Sequence, residues 1–369
     1  MRYSITGLIA IGLSTTLLYG PVQSQIIFDR PTSGEVRVVY SHWSLEDSSG
    51  TVKIDQLTIP FTGFVPLGDN MEASVYVANS SNTLEQSGAE KTLSGLGDAR
   101  LQFNRSFSND RLLLSLGVNM PVGKKKLDAG EEMLVLQMLS QNFLNLPMRR
   151  FGEGFGFNVL VGGAEMVGPA RVGGGVMYQF NGKYDPYEAS GSYDPGDFVS
   201  INAGADWPSG ATTISADAIF TTYLSDKLEG EKVFKQSTQV DLRLNAAYQG
   251  QSYSIRGGLG YLLRGRNSLF LPGEEQLRIL GNEFLINAGL TRHIASGWSI
   301  TPSAELKLIG ETENGFGKCT VAGFGGAIGK SLGERITLNV GGKYFLGDAD
   351  DGAVDLTGFQ VTGSLAAAF

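Results

Sequence analysis

From Asp98 to the C-terminus the chain reads as a series of segments with alternating apolar and weakly polar residues, joined by connections that are short and long in turn. A period of two marks a strand with two unlike faces. The short connections are "SND", "GP", "PSG", "QGQ", "ASG" and "SLGE"; the long ones fall near 121–154, 181–197, 224–235, 264–282 and 347–354. A soluble sandwich has no reason to gather its tight turns at one end and its long loops at the other. A transmembrane β-barrel does, with short turns on the periplasmic side and long loops outside. Every backbone group in lipid must be paired, so such a sheet closes on itself. The expected fold is all-β: a closed antiparallel transmembrane β-barrel of sixteen strands, or fourteen, with one helical extracellular loop.

The clearest strand is 111–120, "RLLLSLGVNM", with Leu112, Leu114, Leu116, Val118 and Met120 on one face. Further strands are expected at 155–166, 170–180, 198–205, 211–223, 236–248, 252–263, 283–293, 298–309, 319–330, 335–346 and 355–369. Upstream lie weaker candidates at 36–43, 51–59, 71–78 and 98–107. The last strand ends "GFQVTGSLAAAF", with Val361, Leu365 and the terminal Phe369 in phase. An apolar terminal strand closed on the first, ending in an aromatic residue, matches the signal by which outer-membrane barrels reach their assembly machinery. Aromatic residues near strand ends, among them Tyr76, Phe157, Tyr178, Phe198, Tyr223 and Trp298, suit a headgroup-level belt.

Charged residues make up 18% of the chain, below the roughly 25% of soluble domains. The first segment stands apart: Arg2, then "ITGLIAIGLSTTLLYG" and "PVQSQ", which reads as a signal peptide spanning 1–24, with the barrel following over 25–369. The expected location is the bacterial outer membrane. One cysteine, Cys319, excludes a disulfide framework or a cysteine metal cluster, and the net charge of -8 argues against nucleic acid. The partners expected are outer-membrane lipid and lipopolysaccharide, the barrel assembly machinery and a small hydrophobic or aromatic solute. No cofactor and no metal is implied.

Some outer-membrane barrels are hydrolases, which need a base beside a hydroxyl or a carboxylate pair. Of the two histidines, only His42, beside Ser41, Ser44, Glu46 and Asp47, falls at the outer end of a strand. It reads as a polar strand-end residue, so no catalytic residue is assigned. The acidic stretch 347–355 holds Asp348, Asp350, Asp351 and Asp355 but lacks the far carboxylate of a calcium loop, and reads as a solvated loop tip. Lys124, Lys125 and Lys126 fall at the outer rim, where cations bridge lipopolysaccharide phosphates or simply meet solvent.

The longest loop is the most distinctive. Within 121–154, a helix is expected over 129–145, with Glu131 and Glu132 in its first turn and Pro147 beyond its end. Met133, Leu136, Leu139, Phe143 and Leu146 recur at helical spacing. An apolar helix face in an exposed loop must pack on something, either inside the barrel mouth or on other loops as a lid. Met133, Leu136, Leu139, Phe143, Arg149 and Arg150 are therefore the candidate pore-mouth and ligand residues.

Two blocks carry a family likeness: "GLGDARLQFNRSF" at 95–107 and "LGVNMPVGKK" at 116–125. Together they resemble a block of the outer-membrane proteins of the phenol-degradation MetA-pathway type, loosely grouped with the fatty-acid and toluene transporters. The likeness covers about thirty residues, with Val122 where the family has Thr. It implies a barrel passing aromatic compounds. The fatty-acid transporters carry a sizeable N-terminal hatch, whereas only "QIIFDRPTSG" separates the cleavage site from the first strand here, which leaves the loop helix as the occluder. The expected function is passive uptake of small apolar or aromatic solutes. A general diffusion porin, with opposed charges at a constriction, and a structural or surface-interaction barrel with a filled lumen are the alternatives.

Overall fold

A computed structural model describes residues 31–188, 191–270, 275–313 and 317–369. The expected signal peptide lies outside the described residues.

Sixteen antiparallel strands form one closed barrel. They are β1 Ser33–Asp47, β2 Gly50–Pro66, β3 Met71–Gln86, β4 (in two segments, Ala89–Leu96 and Ala99–Phe107), β5 Leu112–Met120, β6 Gly156–Val167, β7 Ala170–Asn181 and β8 Phe198–Ser209. Then come β9 Thr212–Tyr223, β10 Gln239–Gln249, β11 Tyr253–Arg264, β12 Glu283–Ile294, β13 Trp298–Ile309, β14 Cys319–Leu332, β15 Ile336–Ala349 and β16 Val354–Ala368. Each pairs with its neighbours in sequence, and β16 pairs with β1 from Ser33↔Ala368 to Glu46↔Asp355, so no edge is left open. The Phe369 N–H donates to the Thr32 carbonyl at 2.8 Å, extending the seam by one bond.

The outer face of the strands carries a continuous apolar belt. Val36, Val38, Leu116, Val161, Ile201 and Val340 are among its exposed members. Val361 and Leu365 belong to it, and Phe369 stands at its lower rim, 76% exposed. Aromatic rings mark the two margins: Trp207, Tyr253 and Trp298 at the end with the short turns, Phe157, Tyr178 and Tyr261 at the other. An exposed apolar surface of this extent is untenable in water and suits a lipid surround. Not every strand-end aromatic joins the belt. Phe198 and Tyr223 face inward and pack with Met177, because their register places them on the lumen side.

The wall near the closure is taller than the rest. Strands β1 to β4 run well past the expected 36–43, 51–59, 71–78 and 98–107, and the connections between β1 and β2 and between β3 and β4 are tight turns. Going up this wall, the apolar face changes side. On β1, Val36, Val38 and Tyr40 are exposed on the outer face, whereas Trp43 and Leu45 are buried on the inner one. Strand β2 does the same: Leu57, Ile59 and Phe61 face out below, and Ile54 is buried inside above. The outer face of this extension is polar, with Lys53 pairing with Glu85 at 3.2 Å. The wall thus passes from lipid-facing below to a water-facing rampart lined with apolar residues on the inside.

Two further expectations change. The acidic stretch 347–355 is no long loop: Asp348 lies in β15 opposite Asp355 in β16, with only a tight turn at Asp350–Gly352 between the strands. The helix α1 covers Glu131–Leu139 rather than 129–145. Gln141 is extended, a short 3-10 turn follows at Asn142–Leu144, and Asn145 is left-handed, so the chain bends and carries its apolar residues across the barrel.

Candidate functional site: the plugged lumen

The two family-like blocks meet at a clamp. Asn79 pairs with Leu96 but Tyr76 pairs with Arg100, so β4 carries one residue more than β3 between these points. That bulge, at Gly97 and Asp98, turns the Asp98 carboxylate toward the base of the long loop. Its Oδ1 accepts the Gly123 N–H at 2.8 Å; its Oδ2 accepts the Glu153 N–H at 2.7 Å and the Asn119 amide at 3.0 Å. The two legs of the loop are thereby tied to one side chain. A Cβ on Gly123 would lie 2.7 Å from Asp98 Oδ1 and 2.8 Å from Gly152 Cα, so only glycine permits the approach.

Beyond the clamp the loop enters the barrel. Asp128 accepts the Gly130 and Glu131 N–H groups at 2.9 and 2.7 Å and opens α1, and Lys124 pairs with Glu132. Lys126 lies 3.7 Å from Asp185, so two of the three rim lysines bind within the loops themselves. Helix α1 packs on β3 and β4, burying Met133, Val135 and Leu139 against the rampart's inner face. Phe143, Leu144, Leu146 and Met148 continue the same cluster, which includes Trp43, Ile54, Leu93 and Phe345 from the wall. Burying each such side chain contributes about 1.5–3 kcal/mol, which offsets the cost of ordering the loop.

Polar contacts hold both flanks. The Gln56 amide donates to the Met148 carbonyl at 2.7 Å and accepts the Met148 N–H at 3.1 Å, as a neighbouring strand would. It also donates to Asn82 at 2.7 Å, whose own amide donates to the Leu93 carbonyl at 2.7 Å. Across the lumen, Asn142 donates to Glu283 at 2.7 Å and accepts from Arg149 at 2.8 Å. Lys307 donates to the Asn142 carbonyl at 3.0 Å, and Arg264 pairs with Glu283 at 2.8 Å. The loop is therefore a plug fastened to β2 on one side and to β12 and β13 on the other.

The remaining loops build a dome over the opposite half of the mouth. Short strands at Tyr193–Asp194, Ser225–Leu228, Glu231–Lys235, Asn267–Leu269 and Glu275–Leu277 form a small second sheet, with Tyr193, Val233, Phe234 and Leu269 as its core. Asp226, in the Ser225–Leu228 strand of this sheet, is buried, accepting from Tyr193 Oη at 2.5 Å and the Gly196 N–H at 2.7 Å. Burial, only partly offset by those bonds, pushes its carboxyl up to about 6. Burial likewise raises the phenols of Tyr184 and Tyr193 above their ordinary range.

All six candidates from the sequence lie in one structure. Met133, Leu139 and Phe143 are buried in the plug and Leu136 is packed at its margin. Arg149 reaches Asn142, and Arg150 pairs with Glu153 at 2.6 Å. Sequence reasoning missed Gln56, Asp98 and Glu283, although the "GD" of the first block and the "VG" of the second are the clamp's two halves. It also found no opposed lumen charges, because the inward parity was open. The structure places Lys343 2.5 Å from Glu305 and Arg243 2.5 Å from Asp241, all facing the lumen below the plug. His42 is on the outer face, 2.9 Å from Asp55, whereas Ser41 points into the lumen and meets Gln360 at 3.1 Å. Adjacent residues of a strand point apart, so Ser41 and His42 form no hydroxyl–base pair.

At the edge of the plug lies a cavity of about 120 Å³. Its walls include Tyr76 and Arg100 from the barrel and Leu146, Met148, Arg149 and Phe151 from the loop.

No protein-family model matches the chain, and no curated protein matches it in sequence. Among solved structures, it is similar to the CymD monoaromatic hydrocarbon channel at 11% identity and a TM-score of 0.44, covering 92% of this chain and 89% of that one. It is also similar to a Pseudomonas aeruginosa FadL homologue at 9% identity and a TM-score of 0.46, covering 92% and 90%. An anion-selective porin from Comamonas acidovorans follows at 12% identity and a TM-score of 0.43, covering 92% and 98%. Likeness of this order says nothing about what passes through the barrel.

Proposed function

We propose that this chain is an outer-membrane channel for passive uptake of small apolar or aromatic solutes, occluded at rest by its own longest loop. The observation that carries the reading is the seating of residues 121–155 inside the barrel. A loop that buries Leu139 and Phe143 in the mouth, and leaves beside them a cavity walled by Tyr76, Met148 and Phe151, presents apolar surface where a solute must enter. The apolar outer belt and the ordered turns and loops support the membrane placement, and the paired blocks around Asp98 and Gly123 fit a barrel of the phenol-degradation MetA-pathway type. In the assembled membrane the belt would meet lipid, with lipopolysaccharide around the rampart. Val361, Leu365 and Phe369 would serve the assembly machinery before the seam closes.

A second reading rests on the charged lower lumen. Lys343–Glu305 and Arg243–Asp241 line an aqueous path of the kind a general diffusion porin uses. Single-channel conductance in planar bilayers separates the two. A plugged channel is silent or flickers, and deletion of 129–145 converts it to steady ohmic steps. Large steady steps from the intact chain would favour the porin. Uptake of radiolabelled toluene by intact Gram-negative cells tests the solute: cells carrying the chain should take it up faster than cells without it, and equal rates would refute the apolar-uptake reading.

A further inference from the structure

The cavity beside the plug is lined by apolar and cationic side chains together. Leu146, Pro147, Met148 and Phe151 face it from the loop and Tyr76 from β3. Arg100, Arg149 and Arg150 line it as well. Two carboxylates, Asp98 and Glu153, share the lining, but each is engaged: Asp98 accepts three hydrogen bonds at the clamp, and Glu153 pairs with Arg150 at 2.6 Å.

Two donor groups are left over. Arg150 Nη2 is buried with no hydrogen-bond partner among the described residues, although Nη1 of the same guanidinium is paired. A buried, unsatisfied charged donor is costly, so such a group ordinarily has a partner, and the described residues supply none for Nη2. Arg100 is the second. It stands in register between Tyr76 on β3 and Asn119 on β5, faces the lumen, and forms no hydrogen bond or ion pair among the described residues. A planar, permanently charged fork is the side chain best matched to a carboxylate.

We propose that this cavity is a subsite for a monocarboxylate of about one aromatic ring, its apolar body against Tyr76, Met148 and Phe151 and its carboxylate held by Arg100 and Arg150. This deepens the uptake reading above and rests on it: the solute is apolar in bulk but anionic at one end. The volume sets the size limit, since about 120 Å³ is close to the roughly 150 Å³ of a cavity known to hold benzene. Charge sets the selectivity, because an uncharged ring of the same size offers neither guanidinium a counter-charge.

The test is calorimetric titration of the full-length protein in detergent micelles with benzoate, benzyl alcohol and acetate, each corrected against empty micelles. Benzoate should bind at least about ten-fold more tightly than either of the others. Arg100→Gln should remove about ten-fold or more of the benzoate affinity and leave benzyl alcohol unchanged, with Arg100→Lys recovering part of the loss. Arg100 is exposed and outside the plug's packed cluster, so these variants keep the loop seated. Equal affinity for benzoate and benzyl alcohol, or a benzoate preference untouched in Arg100→Gln, would overturn the subsite. If toluene uptake by cells persists in that case, only this inference falls. If toluene uptake and all binding are absent, the uptake reading falls with it.

Discussion

Replacing Asp98 by asparagine changes one atom of the clamp and should release the plug. In the native chain both carboxylate oxygens accept: Oδ1 from Gly123 N–H, Oδ2 from Glu153 N–H and the Asn119 amide. An asparagine offers one oxygen and one amide nitrogen, so whichever way it turns, a donor faces a backbone donor. At least one charge-assisted bond is lost, about 1.5–3 kcal/mol, and a second is weakened as the remaining acceptor becomes neutral. A total of about 3 kcal/mol corresponds to a shift of roughly 100-fold toward the unseated loop. The barrel's own ladder is untouched, so heat-resistant folding of the barrel should persist while the loop loosens. Amide hydrogen exchange across 121–155 reports the loop directly: protection should fall by about two orders of magnitude in Asp98→Asn, with β12 to β16 unaffected. Channel openings in planar bilayers should rise in parallel. Unchanged exchange in the loop would refute the clamp, and loss of protection throughout the barrel would show that Asp98 supports the sheet rather than the plug.

Three further outcomes follow from the same geometry. Leu139→Ala empties a fully buried site between α1 and β4 and should destabilise the seated plug by about 2–5 kcal/mol, measured as increased open time in bilayers. Gln56→Ala removes the side chain that pairs both Met148 backbone groups and leaves them unsatisfied, costing about 1–3 kcal/mol; proteolytic nicking near Met148 should accelerate. The dome should tighten in acid. Asp226 has its carboxyl raised to about 6, so its contribution is fully favourable below the ordinary carboxylate range and is lost as pH rises through about 6. Protease resistance of 224–238 should therefore increase from pH 7.5 to pH 5, and Asp226→Asn should flatten that dependence.

From β5 onward the strands were legible because one rule governs each of them. Within the belt each such strand keeps its apolar set in one phase, as in Leu112–Met120 and Ala170–Asn181 against the expected 111–120 and 170–180, although β16 slips above it, where Val354 and Leu356 are buried inside while Val361 and Leu365 face out. The first four strands break that rule. Their apolar residues switch from even to odd positions between Tyr40 and Trp43, and from odd to even between Leu57 and Ile54. A phase slip looks like the end of a strand when alternation is the only signal, so alternation alone assigns no strand to 79–96. The cause is tertiary: above the belt the outer face meets water and the inner face meets the plug. The helix over-extended for a related reason. Its spacing holds through Phe143, but crossing the lumen requires a bend that keeps Phe143 and Leu144 in the buried cluster and brings Asn142 beside Glu283.

What the sequence by itself determined is the closed barrel, a count of sixteen or fourteen strands that the structure then resolves to sixteen, and an apolar loop that must find cover, since periodicity and connection length are local properties of the chain. Only the tertiary structure decided which way the strands face, that the cover is the lumen's own rampart, and that Asp98, Gln56 and Glu283 hold the loop there. Those contacts join residues as far apart as Gln56 and Met148, and Asn142 and Glu283. No local pattern encodes them, because a hydrogen-bonding side chain on a lumen-facing position reads the same whether its partner is water or a folded-in loop.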